Sequence, residues 1–223
     1  MYKMINAVIF DMDGVLSDSE WIYVEKILEV LREEGVFIEA EEINDLFGRS
    51  MSRISDELKR RYDLPKDAAF YCERVLFLHD RLIEEAGIFP MEGAVDIVRE
   101  LHSEGIPIAV ASSAPIETIK GNMKHFGLER YIDHYVSGVD CARGKPDPEI
   151  YLRAASLLNT DPHNCIAVED SANGVAAAKA AGMYCIAFVP PKAVPQDVSV
   201  ADEIIVSLYD IIKIKDRRSL SVQ

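Results

Sequence analysis

The chain has 223 residues, of which 49% are hydrophobic, and its formal net charge is −14 at pH 7. This length suffices for one large domain, or for one domain with a smaller companion. The acidic charge disfavours nucleic acids and membrane surfaces as partners, because both bind basic surfaces. No apolar run is long enough for a membrane-spanning helix, and no secretory signal is expected at the N-terminus.

The four cysteines indicate a reduced, cytoplasmic setting. They form no CxxC pair, and their spacing fits no zinc site. Cys165 and Cys185 lie in apolar runs, where we expect buried core thiols. We also expect a monomer.

The first predicted element is a short buried strand at residues 7–10, an apolar run rich in β-branched residues. Asp11, Asp13 and Gly14 follow it. Ligands of open α/β sheets bind beyond the carboxyl ends of such strands. Because side chains two residues apart on a strand share a face, both carboxylates are expected to point into one crevice. A simple turn built from Asp and Gly is the alternative for this pattern alone.

Residues 20–86 are predicted to be mostly helical and to form a small separate bundle. Apolar residues recur at helical spacing in segments 21–34, 50–61 and 67–85, and a further short helix is predicted at 40–46. The alternative is that these helices form one layer of the main domain.

From residue 91 onward, helices and strands alternate. The predicted strands are 107–111, 135–137, 165–168, 184–189 and 203–206, and the predicted helices are 93–103, 115–126, 147–158 and 172–181. Repeated βα units predict an α/β fold with a Rossmann-like parallel sheet and helices on both faces. The core domain would then be residues 1–19 and 87–223. Residues 20–86 would be an α-helical cap domain inserted after the first strand, placed to act as a lid.

Two further strand ends are followed by residues that suit an anion. Ser112 and Ser113 precede a helix, where hydroxyl and backbone N–H groups can bind an anion, although a serine there can also simply cap the helix. Lys145 lies between Gly144 and two prolines, which favours a rigidly held charge for a phosphate. The alternative for Lys145 is a solvated lysine in a turn that enters a helix.

Another strand end carries two acids, Glu169 and Asp170. With Asp11 and Asp13 they form a cluster of hard oxygen ligands, which suits Mg²⁺ better than zinc. The combination of these residues indicates phosphoryl transfer. It supplies acids for a divalent cation, groups that bind oxyanions and a carboxylate nucleophile.

These motifs resemble those of the haloacid dehalogenase superfamily of phosphotransferases. DMDGV at 11–15, ASS at 111–113, GKPDP at 144–148 and VEDS at 168–171 match the four motifs of that family, in its order and over nearly the whole chain. The helical insertion is similar to the cap of the subgroup that holds phosphoglycolate phosphatase, β-phosphoglucomutase and small sugar-phosphate phosphatases.

The resemblance implies a role for each acid. Asp11 would be the nucleophile that forms an aspartyl phosphate, and Asp13 would act as general acid and then as general base. Mg²⁺ would be held by Asp11, by the backbone carbonyl of Asp13 and by Asp170, with Glu169 binding it directly or through water.

The resemblance also implies the phosphate site. Ser112 and Lys145 would bind the phosphoryl oxygens, and the N–H groups of Met12 and Ser113 could assist them.

A phosphatase and a mutase differ in the molecule that accepts the phosphoryl group. β-Phosphoglucomutases have a histidine soon after the first motif, where this chain has Tyr23; the first histidine of the chain is His79. They also have a cap-loop arginine after a glycine, whereas Gly48, Arg49 and Arg53 occur in a different register. These cap residues are candidates for substrate contact, and the alternative for both arginines is a solvated helix start.

The sequence therefore predicts a Mg²⁺-dependent phosphatase of a small phosphorylated metabolite, with a sugar phosphate as the first choice. A β-phosphoglucomutase-type phosphotransferase is the alternative. A non-enzymatic, phospho-accepting signalling domain is disfavoured, because such domains are about half this length and have no cap.

Overall fold

The computed structural model describes residues 5–18, 20–46, 51–190, 193 and 196–220. The chain divides into two compact units. The first, here called the α/β unit, comprises Met1–Asp18, Phe89–Lys192 and Asp197–Gln223. The second, here called the helical unit, comprises Ser19–Ile88 and Ala193–Gln196. Among the described residues, no helix has both the length and the hydrophobicity needed to cross a membrane.

The helical unit has a hydrophobic core of its own, which includes Ile27, Leu31, Leu58 and Tyr71. The apolar spacing that predicted its helices is the spacing of the residues that fill this core. Its elements are α1 (Glu20–Glu33), a 3₁₀ segment (Ala40–Leu46), α2 (Met51–Tyr62) and α3 (Ala68–Ala86).

The α/β unit contains a six-stranded sheet in which every neighbouring pair of strands is parallel. The strands are β1 (Ala7–Phe10), β2 (Ile108–Ser112), β3 (His134–Ser137), β4 (Cys165–Glu169), β5 (Tyr184–Phe188) and β6 (Glu203–Ile205). Their order in space is β3-β2-β1-β4-β5-β6, so β1 lies between β2 and β4. The predicted parallel α/β sheet is confirmed.

Both faces of this sheet are buried. On one face, Tyr151 and Val175 belong to the same hydrophobic cluster as alanines and Ile9 of the central strands. The alternate strand residues, such as Phe10 and Val110, point to the opposite face and are also fully buried. The helices described in this unit are α4 (Ala94–Ser103), α5 (Ile116–His125), α6 (Glu149–Leu157), α7 (Ala172–Ala180) and α8 (Asp210–Leu220).

Cys165 and Cys185 lie in this core, as predicted, and both are fully buried. Burial raises the pKa of each thiol to about 12. Thiols with so high a pKa stay protonated and unreactive at neutral pH.

The last helix, α8, lies inside the predicted core domain but was not predicted, since residues 203–206 are the last predicted element. Ile211 and Ile214 of α8 are buried, and their spacing of three residues is helical. This apolar pattern is short and is followed by charged residues, so it predicts a helix only weakly. The helix is stabilised by packing against the rest of the unit.

The start of α3 provides a test of the helical unit. The Asp67 carboxylate accepts a hydrogen bond of 2.8 Å from the backbone N–H of Phe70. Asp67→Ala removes this cap and should lower the free energy of unfolding by about 1 kcal/mol. The measurement is urea unfolding followed by circular dichroism. Glu73→Ala, at an exposed position within α3, is the control, and it should change stability by less than about 0.5 kcal/mol.

Candidate active site

The strand order brings the predicted site residues to one edge of the sheet. Asp11 directly follows β1, Ser112 is the last residue of β2, and Glu169 is the last residue of β4. Phe10, just before Asp11, pairs with Val110 of β2 and Val168 of β4. Since neighbouring strands run parallel, their carboxyl ends meet at the crevice where open α/β sheets bind ligands.

Lys145 links these strand ends. Its Nζ lies 2.5 Å from Asp11 Oδ1 and 2.6 Å from Glu169 Oε1, and it donates to the Ala111 carbonyl oxygen at 3.2 Å. The Lys145 and Asp11 side chains are each 8% exposed, and that of Glu169 is fully buried. Buried charges persist only where they are paired and hydrogen-bonded. Lys145 therefore carries a buried charge that is paired with two carboxylates, and the alternative of a solvated lysine is wrong.

The surroundings of these groups shift their pKa values upward. Burial raises the pKa of Asp11 to about 7; Lys145 opposes this shift, while Glu169 and Asp13 add to it. Burial by itself lowers the pKa of Lys145, but Asp11 and Glu169 outweigh burial and raise it. The ammonium therefore stays charged at neutral pH. A cation beside Asp11 would favour its ionised form.

Glu169 accepts hydrogen bonds on both carboxylate oxygens. Its Oε1 receives Lys145 Nζ and the Tyr151 hydroxyl, the latter at 2.5 Å. Its Oε2 receives the Ser171 hydroxyl and the Asp170 N–H, both at 3.2 Å. Burial and then the charge of Glu169 raise the pKa of Tyr151 well above its usual value, so its hydroxyl remains a donor. These donors hold Glu169 in one orientation.

Three carboxylates form a candidate metal site. Asp11, Glu169 and Asp170 each offer an oxygen, and these oxygens lie within 4.8 Å of one another. Gly14 makes room for this cluster: its φ is 77°, and a Cβ atom there would lie 1.9 Å from Asp170 Oδ2. An all-oxygen donor set with an excess of negative charge fits Mg²⁺.

Asp13 is placed by a turn and not by the strand. Because β1 ends at Phe10, the alternation of strand side chains does not extend to Asp13, and that part of the sequence argument is wrong. The backbone of Asp13 bridges to Ser17, and the Leu16 N–H donates to the Met12 carbonyl at 2.9 Å. The Asp13 side chain is exposed, whereas Asp11 is buried. The predicted roles of Asp13 in acid–base chemistry and in metal binding stay predictions.

The end of β2 is organised around the Ser112 hydroxyl. Ser112 is buried, and its Oγ accepts the Ala114 N–H at 3.1 Å. Ser112 does not cap α5, because the N-cap position is Pro115. Among the described residues, the Ser112 hydroxyl proton meets no acceptor, so it can be donated to a ligand. Ser113 is exposed at the same loop.

Two residues that the sequence did not indicate stabilise the loops at this edge of the sheet. Ser137 Oγ donates to the Ala114 carbonyl at 2.7 Å and ties the end of β3 to the Ser112 loop. The Glu149 carboxylate accepts the N–H groups of Ala142 and Arg143 at 3.0 and 3.2 Å, which fixes the loop before Lys145. The Ser137 contact spans 23 residues and depends on the pairing of β2 with β3, which the sequence alone does not reveal.

Gly174 was also missed, although a glycine inside a helix is a recognisable sequence signal. It lies in the first turn of α7, and its N–H donates to Ser171 Oγ at 3.1 Å. A Cβ atom at this position would lie 1.9 to 2.0 Å from the carboxylate atoms of Glu169. Gly174 thus leaves the space in which the Glu169 carboxylate is held.

The predicted substrate-contact residues belong to the helical unit. Tyr23 is partly buried there, and its ring stacks on His79 with a centroid distance of 4.0 Å. His79 is buried, as expected for a structural histidine. Arg53 is exposed on α2. Gly48 and Arg49 lie outside the described residues.

Comparison with known proteins assigns the family. Residues 8–188 match the family described as haloacid dehalogenase-like hydrolase. The chain belongs to this family. The resemblance stated from the four motifs is therefore confirmed.

Several relatives are named as phosphatases. Hexitol phosphatase B of Escherichia coli K12 is 32% identical over 194 residues, which cover 86% of each protein. The structure of a HAD family hydrolase from Deinococcus radiodurans R1, with bound phosphate and sodium, superposes with a TM-score of 0.83 at 27% identity and 97% coverage of both chains.

A third similar protein is a putative β-phosphoglucomutase from Thermotoga maritima. Its structure superposes with a TM-score of 0.78 at 28% identity, over 96% of this chain and 99% of that chain. The chain spans only 18% and 55% of the length of two plant relatives that it matches. The family match and the phosphatase names among the relatives support the prediction of an enzyme that hydrolyses phosphoric monoesters.

Gly174 gives a direct test of the packing around Glu169. In Gly174→Ala, the new Cβ would overlap the Glu169 carboxylate, and Glu169 would have to leave its donors. We expect a loss of at least about 2 kcal/mol in the free energy of unfolding. The measurement is chemical unfolding of the purified variant.

Gly121→Ala is the matched control. Gly121 also lies inside a helix, α5, and a Cβ there would meet nothing within 4 Å. This variant should be as stable as the wild type, or more stable by up to about 1 kcal/mol, because alanine favours the helix. Equal effects of the two substitutions would contradict the proposed clash.

Proposed function

We propose that this protein is a Mg²⁺-dependent phosphatase of a small phosphorylated metabolite, with a sugar phosphate as the substrate class, acting through an aspartyl phosphate. The observation that carries the proposal is the contact of the buried Lys145 ammonium with Asp11 and Glu169 at the carboxyl edge of the sheet. This contact sets a carboxylate nucleophile beside a fixed positive charge. The named phosphatases among the relatives support the reaction class.

In the proposed reaction, an oxygen of Asp11 attacks phosphorus and the bond to the leaving oxygen breaks. Asp13, which is exposed, gives a proton to that oxygen and later removes one from the water that hydrolyses the aspartyl phosphate. Lys145 and the Ser112 hydroxyl bind the phosphoryl oxygens. Repulsion between the Asp11 carboxylate and the phosphate dianion is the main obstacle, and the positive charge of Lys145 offsets it.

Asp11 and Asp170 are the residues that would hold Mg²⁺ directly, together with the backbone carbonyl of Asp13. Glu169 would contact the ion through water, because both of its oxygens already accept protein donors. When bound, the ion supplies positive charge that stabilises the transferring phosphoryl group. A cytoplasmic location and a monomeric state remain predictions.

A β-phosphoglucomutase-type reaction is the second candidate, because a similar structure carries that name. Tyr23 disfavours it, since a tyrosine occupies the place where such mutases have a histidine. A panel with β-glucose 1-phosphate, fructose and glucose 6-phosphates, 6-phosphogluconate and phosphoglycolate distinguishes the two. Release of inorganic phosphate supports the phosphatase. Conversion of β-glucose 1-phosphate to glucose 6-phosphate, with little free phosphate, would show the mutase.

Asp11→Asn tests the covalent mechanism. The two side chains are nearly isosteric, so the fold should persist while kcat falls at least about 1,000-fold, because the amide is a poor nucleophile. Turnover is measured as phosphate release, and the acyl phosphate is trapped by hydroxylamine in the wild type only. Near-normal turnover in the variant would rule out Asp11 as the nucleophile.

Asp161→Asn is the matched control for this substitution. Asp161 is exposed before β4, at the opposite edge of the sheet, and accepts the His163 N–H at 2.9 Å. Asparagine can accept the same bond, so turnover should stay within twofold of the wild type.

Removal of the metal is a separate prediction. Dialysis against EDTA should lower phosphate release at least about 100-fold, and added Mg²⁺ should restore it while Ca²⁺ should not, because Ca²⁺ requires more and longer oxygen contacts. Full activity of the metal-free protein would remove Mg²⁺ from the proposal.

A further inference from the structure

Tyr151 is an ionisable residue beneath the site for which the proposed chemistry has no use. It lies in the first turn of α6 and is fully buried. Its hydroxyl donates to Glu169 Oε1 at 2.5 Å, and Lys145 Nζ lies 5.3 Å from the centroid of its ring. A buried tyrosine in a core of alanine and isoleucine needs a partner for its hydroxyl. Here the partner is a carboxylate that also binds the phosphate-site lysine.

Tyr151 and Lys145 share one acceptor atom. Glu169 Oε1 receives the hydroxyl at 2.5 Å and the ammonium at 2.6 Å. Two donors on one oxygen divide its negative charge between them, which weakens its hold on each. Asp11 competes for the same ammonium at 2.5 Å. The hydroxyl of Tyr151 therefore influences how the ammonium is shared between Glu169 and Asp11.

We propose that Tyr151 is a positioning residue, whose hydroxyl limits the pull of Glu169 on Lys145 and so keeps the ammonium beside Asp11 and within reach of the phosphoryl group. This inference rests on the proposed function, because the phosphoryl group is the ligand that Lys145 would meet. The ring itself is a separate contribution, since it packs in the core and faces the ammonium.

Tyr151→Phe isolates the hydroxyl, because it keeps the ring and the volume of the side chain. Without this donor, Glu169 Oε1 should draw Lys145 away from Asp11. The charge of Lys145 matters most as the Asp11 oxygen approaches phosphorus, so the loss should appear in kcat. We expect kcat to fall about tenfold, with KM changed less than threefold.

The metal site should respond differently from the phosphate site. Losing a donor leaves Glu169 with more negative charge on Oε1, which favours a cation nearby. The affinity of the metal-free Tyr151→Phe protein for Mn²⁺, followed by electron paramagnetic resonance, should therefore equal or exceed that of the wild type. A general loosening of the site would weaken Mn²⁺ binding along with turnover.

Two further variants complete the experiment. Tyr71 is a buried tyrosine of the helical unit whose hydroxyl oxygen accepts the Lys66 N–H at 3.1 Å. Tyr71→Phe should lower stability while leaving kcat within twofold of the wild type. In a Glu169→Gln background, Tyr151→Phe should change kcat less than threefold, because the proposed action passes through the Glu169 carboxylate.

The outcomes separate this inference from the proposed function. A wild type that is inactive on every phosphate ester would overturn the proposed function and the inference with it. An active wild type with an equally active Tyr151→Phe would overturn the inference alone. So would a parallel loss of kcat and Mn²⁺ affinity, or an undiminished effect of Tyr151→Phe in the Glu169→Gln background.

Discussion

The buried ammonium of Lys145 is the interaction on which the rest of the site depends. It joins a residue after β1 to the last residue of β4 and to the Ala111 carbonyl in β2. Removing one partner of such a buried pair commonly costs about 3–5 kcal/mol, because the remaining charge is left uncompensated. The three central strands must therefore end in register, and the parallel pairing of β2, β1 and β4 provides that register.

The same charges are what the proposed binding of a divalent cation and a phosphate would require. Two carboxylates, Asp11 and Glu169, share the ammonium of Lys145, and the charge of Asp13 also acts on Asp11. Burial, with smaller contributions from the charges of Glu169 and Asp13, raises the pKa of Asp11 to about 7. A bound cation would favour the ionised form of Asp11, as the proposed nucleophilic role requires.

Two glycines make this density of carboxylates possible. Gly14 leaves space for Asp170, and Gly174 leaves space for Glu169; a Cβ atom at either position would lie within 2.0 Å of a carboxylate atom. Two hydrogen bonds from neighbouring residues hold this arrangement in place. Ser137 holds the Ser112 loop, and Tyr151 holds Glu169. The reacting groups are thus held by residues that need not touch a substrate.

The sequence by itself predicted most of the elements and a class of chemistry: short apolar runs of three to six residues predicted the strands, and the polar residues that follow them predicted one edge of a parallel sheet. This worked because strand burial and strand ends are local properties of the chain. The tertiary structure alone decided that Lys145 bridges Asp11 and Glu169, across 134 and 24 residues, and that Tyr151 binds Glu169. The tertiary structure also decided that Asp13 lies in a turn and that α8 forms. Such contacts depend on which strands lie side by side, and no local periodicity encodes that order.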